Sequence, residues 1–214
     1  GLSQFTKFRR VLDDATIAPA SEPVFHQQFP GMDCVVHARP GFGLAIRMSS
    51  SRIFNYESLN NENLHGWFTG DGMTYLYHRD LTQFGEGFWP TVNPYRLPVT
   101  TVDTTVRANA SGQEYLSPAR WVGGASLEGT WGAVGFDLDA YNSTLVAKKS
   151  WFLFDDEIVC LGAGITCSGA NRIETTMENR RLAGAGDAEF QINGAVMPTN
   201  HGSSNSTAAP WCWL

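Results

Sequence analysis

Three apolar runs follow one another between residues 131 and 167 with almost nothing between them, and this constrains the fold more than any other feature. In the first run Val134, Phe136 and Leu138 recur at every second position, so they share one face of an extended strand. Runs at 144–154 and 157–167 come next, with Asp155-Asp156 between them where a two-residue hairpin loop would sit. Long neighbouring strands joined by tight turns pair antiparallel. An antiparallel sheet with an apolar face then needs a second sheet to cover it. Further strands are predicted at 34–38, 44–48, 73–77 and 172–182, and Arg39-Pro-Gly-Phe-Gly reads as a turn. The fold class read from this pattern is all-β, a large antiparallel β-sandwich.

Composition agrees. Twenty-two Gly, ten Pro and seven Trp suit a turn-rich β protein better than a helical bundle. With 43% hydrophobic and only 17% charged residues, a disordered chain is excluded. A chain of 214 residues can bury roughly 70% of its unfolded surface, enough for a core without staples. The net charge of −6 argues against nucleic acid as a partner. No apolar run reaches the ~18 residues that a membrane-spanning helix needs.

The two ends differ from the middle. Residues 3–14 are predicted as an amphipathic helix, with Phe5, Phe8, Val11 and Leu12 on one side, charges on the other and Ser3 as its cap. A lone helix of this kind has to bury its stripe somewhere, so residues 1–23 read as the last helix of a helical domain plus a linker. The chain opens at Gly1 without a leader, and is expected to be an excerpt or a processed product. Residues 24–198 form the β-sandwich domain. Residues 199–214, polar until Trp211-Cys212-Trp213, are expected to be a disordered or aberrant tail. Cys34, Cys160, Cys167 and Cys212 form no Cys-x-x-Cys, so a zinc site is not expected; all four are expected as buried free thiols.

The chemistry gathers between Asn60 and Val99. This long irregular stretch carries Trp67, Phe68, Tyr75, Tyr77, Phe84, Phe88, Trp89 and Tyr95. The aromatics have two readings: rings lining a saccharide groove, because sugar rings have apolar faces, or rings plugging the edge of the sandwich. Glu57, Glu62, Asp71 and Asp80 fall in or beside the same stretch, and a glycoside hydrolase would set two carboxylates across the bond it cleaves. Asp71, inside Gly70-Asp71-Gly72, also reads as a turn residue. No phosphate loop, Gly-x-Ser-x-Gly elbow or His-Glu-x-x-His motif is present. Of the five histidines, none pairs with another at ligand spacing, and His65 is favoured as a base because it sits in this aromatic loop.

The block Tyr56-Glu57-Ser-Leu-Asn60-Asn-Glu62-Asn63-Leu-His-Gly66-Trp67-Phe68-Thr69-Gly70-Asp71-Gly72-Met73 resembles the start of the central β-domain of polysaccharide lyase family 8. That family holds hyaluronate, chondroitin AC and xanthan lyases. Phe88-Trp89-Pro90-Thr91-Val92-Asn93-Pro94-Tyr95, Thr100-Thr101, Lys149-Ser150-Trp151-Phe152 and the stretch from Thr175-Thr176 to Arg181 fit as well, over about residues 24–197. The resemblance implies a supersandwich of galactose-mutarotase type. It also implies a helical α/α toroid, N-terminal to it in the same enzyme, that supplies the catalytic Asn, His, Tyr and Arg. The implied reaction is β-elimination at a uronic acid, on an anionic polysaccharide of the hyaluronan, chondroitin or xanthan type, without metal or organic cofactor. The family's Glu-x-x-Asn falls on Glu57 and Asn60. Glu57 is then expected to orient the catalytic set by charge pairing with an arginine of the helical domain, and Asn60 to contact a sugar. Trp67 is the next candidate, as a substrate-binding aromatic. The chain alone is expected to be inactive, and an extracellular location is implied. Two other readings stay open: a non-catalytic carbohydrate-binding module, and a two-carboxylate hydrolase whose products carry no new double bond.

Overall fold

The computed structural model describes residues 2–85, 87–169, 171–182, 189–199, 208 and 212–213. The chain begins with α1 (Leu2–Leu12), none of whose residues is buried; Phe5 and Phe8 are 64% and 69% exposed. Ser3 falls inside this helix rather than at its cap. A first four-stranded antiparallel sheet follows in chain order: β1 (Phe25–Phe29), β2 (Cys34–Arg39), β3 (Phe42–Arg47) and β4 (Met73–Tyr77). A one-turn helix, α2 (Phe88–Thr91), and β5 (Thr101–Asp103) lead to the second sheet. Its strands β6 (Val122–Leu127), β7 (Trp131–Asp139), β8 (Val146–Leu153) and β9 (Ile158–Thr166) are again neighbours in chain order. Then β10 (Ile173–Thr175) returns to pair with β5. Finally β11 (Phe190–Ile192) pairs with both β12 (Ala195–Met197) and β13 (Cys212–Trp213).

The two four-stranded sheets face each other across one core. Val35, Leu44, Ile46 and Met48 from the first meet Val134, Phe136, Leu138, Ala147, Trp151 and Leu153 from the second. The period-2 pattern places them there: Val134 pairs with Trp151 and Leu138 with Ala147, so their side chains share the inner face. The Asp155-Asp156 loop closes as expected, with the Phe154 N–H donating to Glu157 O at 3.0 Å. The all-β antiparallel sandwich predicted from the alternation is the observed fold class.

Several expectations change. β1 and β6 were not legible as strands. β6 contains Gly123-Gly124, which reads as a loop, yet a Cβ at Gly124 would lie 2.0 Å from Ala133 O. The glycine is there because the neighbouring strand leaves no room. The run at 172–182 shrinks to β10, because its polar residues turn away to latch onto the rest of the chain: Asn179 Nδ2 donates to Arg96 O at 2.7 Å and Arg180 Nη2 to Leu76 O at 3.2 Å. In the tail, Cys212 and Trp213 form a short strand; most of residues 199–214, the expected disordered tail, lie outside the described residues. The four cysteines are free, but Cys160 and Cys212 are exposed and Cys34 and Cys167 half-buried, not core thiols.

Candidate functional site

A groove of about 1060 Å³ lies on the outer face of the first sheet. In the ladder, Arg47 sits between Cys34 and Met73, and Ala45 lies opposite Tyr75. Cys34, Ala45, Arg47 and Tyr75 lie on the face opposite the core-facing Leu44 and Ile46 and form the groove floor, while Met73 is buried among the neighbouring aromatics. One wall is the loop carrying Glu57, Glu62, Asn63 and His65. The other carries Trp89, Pro90, Val92 and Pro94.

The loop from 57 to 65 is stapled at both ends. On the incoming side, the Asn55 N–H donates to Tyr115 O at 3.1 Å, and Asn55 Oδ1 accepts from the N–H groups of Tyr56 (2.8 Å) and Tyr115 (3.1 Å). Tyr56 OH donates to Ser111 O at 2.8 Å. On the outgoing side, the Ala110 N–H donates to Leu64 O at 2.8 Å and Trp67 Nε1 to Ala108 O at 3.1 Å. Within the loop, Asn63 Nδ2 donates to Glu57 O and Ser58 Oγ to Glu62 O, both at 2.8 Å. Asn60, Asn61 and Asn63 adopt left-handed backbone with φ of 53°, 62° and 52°. Asparagine tolerates that region better than other non-glycine residues, which explains the run of asparagines in the sequence.

The backbone is thus pinned, while two side chains are left over. Glu57 and Asn60 are exposed, and neither the carboxylate nor the Asn60 amide bonds to any described residue. Glu57 lines the groove; Asn60 lies on the same loop beyond the lining residues. His65 also lines it, its Nε2 at 2.9 Å from Asn109 Oδ1.

Trp67 is placed differently from the expectation. It is only 7% exposed and belongs to a second core with Tyr56, Phe68, Met73, Phe84, Phe88, Leu97 and Val102. For most of the aromatics the plug reading therefore holds. Trp89 is the exception: 45% exposed, it lines the groove, held edge-on to Phe88 at 5.2 Å and tilted against Tyr75 at 6.4 Å. Asp71 and Asp80 are not in the groove. Asp80 is taken up by Thr82 and by Arg181 at 3.3 Å, which hold its carboxyl below the usual range. Asp71 is buried.

Burial pushes the Asp71 carboxyl up to about 7, against the opposing pull of Lys149. Lys149 sits on the inner face of β8, and burial lowers it to about 8. Its ammonium donates to Asp71 O at 3.4 Å and to Val99 O. Val99 takes a left-handed φ of 63°, costly for a β-branched residue, which points its carbonyl at that ammonium. This knot ties the end of the aromatic loop to the second sheet.

Arg47 escaped the sequence reading. Nothing in its neighbourhood on the chain marks it, since only the strand register brings it to the groove floor. A second hollow, about 1120 Å³, is lined by strands of the second sheet together with Gln28, Phe29, Cys34 and Met48 from the side of the first; it includes neither Glu57 nor Trp89. Among the described residues, no three His, Cys, Asp or Glu side chains are grouped as metal ligands, and no helix is long and apolar enough to cross a membrane.

Known proteins resemble this arrangement closely. The chain is 47% identical over 209 residues to a xanthan lyase of Bacillus sp. (strain GL1), covering 96% of this chain and 22% of that protein. It is 46% identical over 192 residues to a hyaluronate lyase of Thermasporomyces composti, covering 89% of this chain and 25% of the relative. Among solved structures, a Paenibacillus xanthan lyase superposes with a TM-score of 0.88 at 44% identity, over 95% of this chain and 19% of that one. A Streptomyces coelicolor A3 chondroitin AC lyase in complex with chondroitin sulphate superposes with a TM-score of 0.80 at 44% identity, over 88% and 26%. The chain thus spans about a fifth to a quarter of the length of these relatives. The family described as polysaccharide lyase family 8, super-sandwich domain, matches residues 24–214, the sandwich and groove just described, and the chain belongs to that family.

Proposed function

We propose that this chain forms one wall of the substrate cleft of an extracellular polysaccharide lyase that cleaves uronate-containing polysaccharide by β-elimination. The observation that carries the reading is the pinned loop with Glu57 and Asn60 left unpaired on it. A loop braced this heavily, with free polar side chains, is built to present them to something outside the chain.

The chemistry follows from the substrate. The C5 proton of a uronate is weakly acidic because it is alpha to a carboxylate. Neutralising that carboxylate stabilises the enolate-like intermediate. A base then removes the proton, and an acid delivers one to the departing O4. In this reading the acid, the base and the neutralising cation come from a helical domain of the same enzyme, for which the greater length of the relatives leaves room. Glu57 acts on that cation as a positioning residue through a charge-assisted bond, and Asn60 holds a sugar.

The test compares the chain with a complete enzyme containing it, following the ultraviolet absorbance of the new C4–C5 double bond. The chain alone should give no turnover. In the complete enzyme Glu57→Gln should lower kcat about 10²-fold with KM little changed, and Asn60→Ala should mainly raise KM. Turnover by the chain alone, or full kcat in the Glu57→Gln enzyme, refutes the reading.

The exposed Trp89 in the groove favours one other reading, a carbohydrate-binding module that acts without a helical partner. It predicts saccharide affinity in a complete protein that forms no double bond on any uronate polymer.

A further inference from the structure

The distribution of basic side chains singles out one residue. Most arginines of this chain are committed: Arg39 to Asp155, Arg52 to Asp33, Arg96 and Arg172 to Glu174, Arg107 to Asp103, Arg180 to Glu178 and Arg181 to Asp80. The basic side chains that make no ion pair or hydrogen bond with any described residue are Lys7, Arg10, Arg47, Arg79, Arg120 and Lys148. Five of these are on the open surface, where water pairs them at no cost. Arg47 alone is half-buried, in the floor of the groove.

A guanidinium drawn partly out of water without a counter-charge loses hydration and regains nothing inside the protein. Glu57 and Glu62 line the same groove, yet neither comes within ion-pair distance of it. Beside Arg47 on the floor lies Tyr75, and against Tyr75 leans Trp89, which is 45% exposed and lines the same groove. A cation and an open indole lining one groove match a sugar ring that carries an acidic group: the ring's C–H face lies on the indole, and the oxyanion takes the guanidinium fork.

We propose that Arg47 is a specificity residue of the groove, binding the carboxylate of a uronate unit whose ring stacks on Trp89. This rests on the reading of the chain as part of a lyase cleft and adds to it a point of substrate recognition supplied by the β-domain itself. Arg47 discriminates acidic from neutral sugars, and Trp89 supplies affinity common to both. The rest of the groove is acidic through Glu57 and Glu62, so a polyanion is accepted only where Arg47 offsets them.

The test is calorimetric titration of this chain, at low ionic strength, with a uronate-containing oligosaccharide and with the same oligosaccharide after reduction of its carboxylates to alcohols. The parent chain should bind the acidic ligand about tenfold more tightly or better, the worth of one charge-assisted hydrogen bond. The preference should shrink as salt is added. Arg47→Gln should bind both ligands equally, Arg47→Lys should keep part of the preference, and Trp89→Ala should weaken both ligands by the same factor. An unchanged melting temperature for Arg47→Gln separates lost recognition from lost folding. A preference that survives Arg47→Gln, or a parent chain that binds neither ligand or both equally, overturns the proposal. The lyase reading stands apart from these outcomes, because it is judged by double-bond formation in the complete enzyme.

Discussion

Gly70 is where the fold and the candidate site depend on each other most directly. A Cβ at this position would lie 2.2 Å from Asn55 O, 2.7 Å from Asn55 Cα and 2.8 Å from Asn55 C. Non-bonded carbon atoms rest at about 3.5–4.0 Å, so Gly70→Ala requires a shift of about 1 Å. All three obstructing atoms are backbone, and Asn55 is held to Tyr56 and Tyr115 by hydrogen bonds from both its main chain and its side chain. No side chain can rotate away to relieve the clash. Overpacking costs about 1–3 kcal/mol in general, and a clash against pinned backbone belongs at the upper end, about 3 kcal/mol. For a domain of this size each kcal/mol moves the melting temperature by about 2–4 °C, so Gly70→Ala should melt about 6–12 °C below the parent. Circular dichroism during a thermal scan reads the difference. Gly43→Ala is the control: no atom lies within 4 Å of its added Cβ, and its change should stay within about 0.5 kcal/mol. If Gly70→Ala melts within about 2 °C of the parent, or Gly43→Ala falls as far, the account of the loop as rigidly stapled is wrong.

Other substitutions test other parts of the argument. His26 and His37 face each other across β1 and β2 with ring centroids 5.6 Å apart; burial lowers His26 to about 4 from an ordinary 6.5 and lowers His37 as well. Between pH 6.5 and 4 the unfolded chain holds more protons at His26 than the folded one. Its contribution is therefore complete above 6.5 and lost as pH falls toward 4, and the urea midpoint should drop across that window. His26→Gln should flatten the drop; an equal drop in that variant refutes the assignment. Gly132→Ala should perturb the same place, since its Cβ would lie 2.0 Å from the His26 ring, and a parent-like urea midpoint at pH 7 would show that the ring yields freely. Lys149→Met strips the carbonyls of Asp71 and Val99 of their donor and leaves a buried carboxyl without its cation. It should cost about 3–5 kcal/mol at pH 8, and less at pH 5 where Asp71 is protonated; a cost independent of pH, read from denaturant curves, would sink this account. Trp151 is fully buried at the centre of the core, so Trp151→Ala should lose about 3–5 kcal/mol by the same measurement, and a loss under ~1 kcal/mol would contradict the packing.

What the sequence determined by itself is local or periodic. Alternation at Val134, Phe136 and Leu138 assigned the inner face of β7, and Asp155-Asp156 the turn between β8 and β9, because side-chain direction in a strand repeats every second residue. The motif around Glu57 identified the family. Tertiary structure decided everything that depends on what lies across the gap. Trp67 and Trp89 have the same chemistry and sit in the same stretch of chain, but packing among Tyr56, Phe68 and the Ala108 segment buries the first and leaves the second open. β6 looks like a loop until Ala133 occupies the space where a Cβ at Gly124 would go. Lys149 looks like a surface lysine until the register turns it inward onto the carbonyls of Asp71 and Val99. Arg47 acquires its place only because β3 pairs with β2 and β4 in one register; a slip of one residue would turn it into the core. Periodicity is carried by covalent neighbours and can be read along the chain, whereas burial and charge pairing belong to residues the chain brings together only by folding.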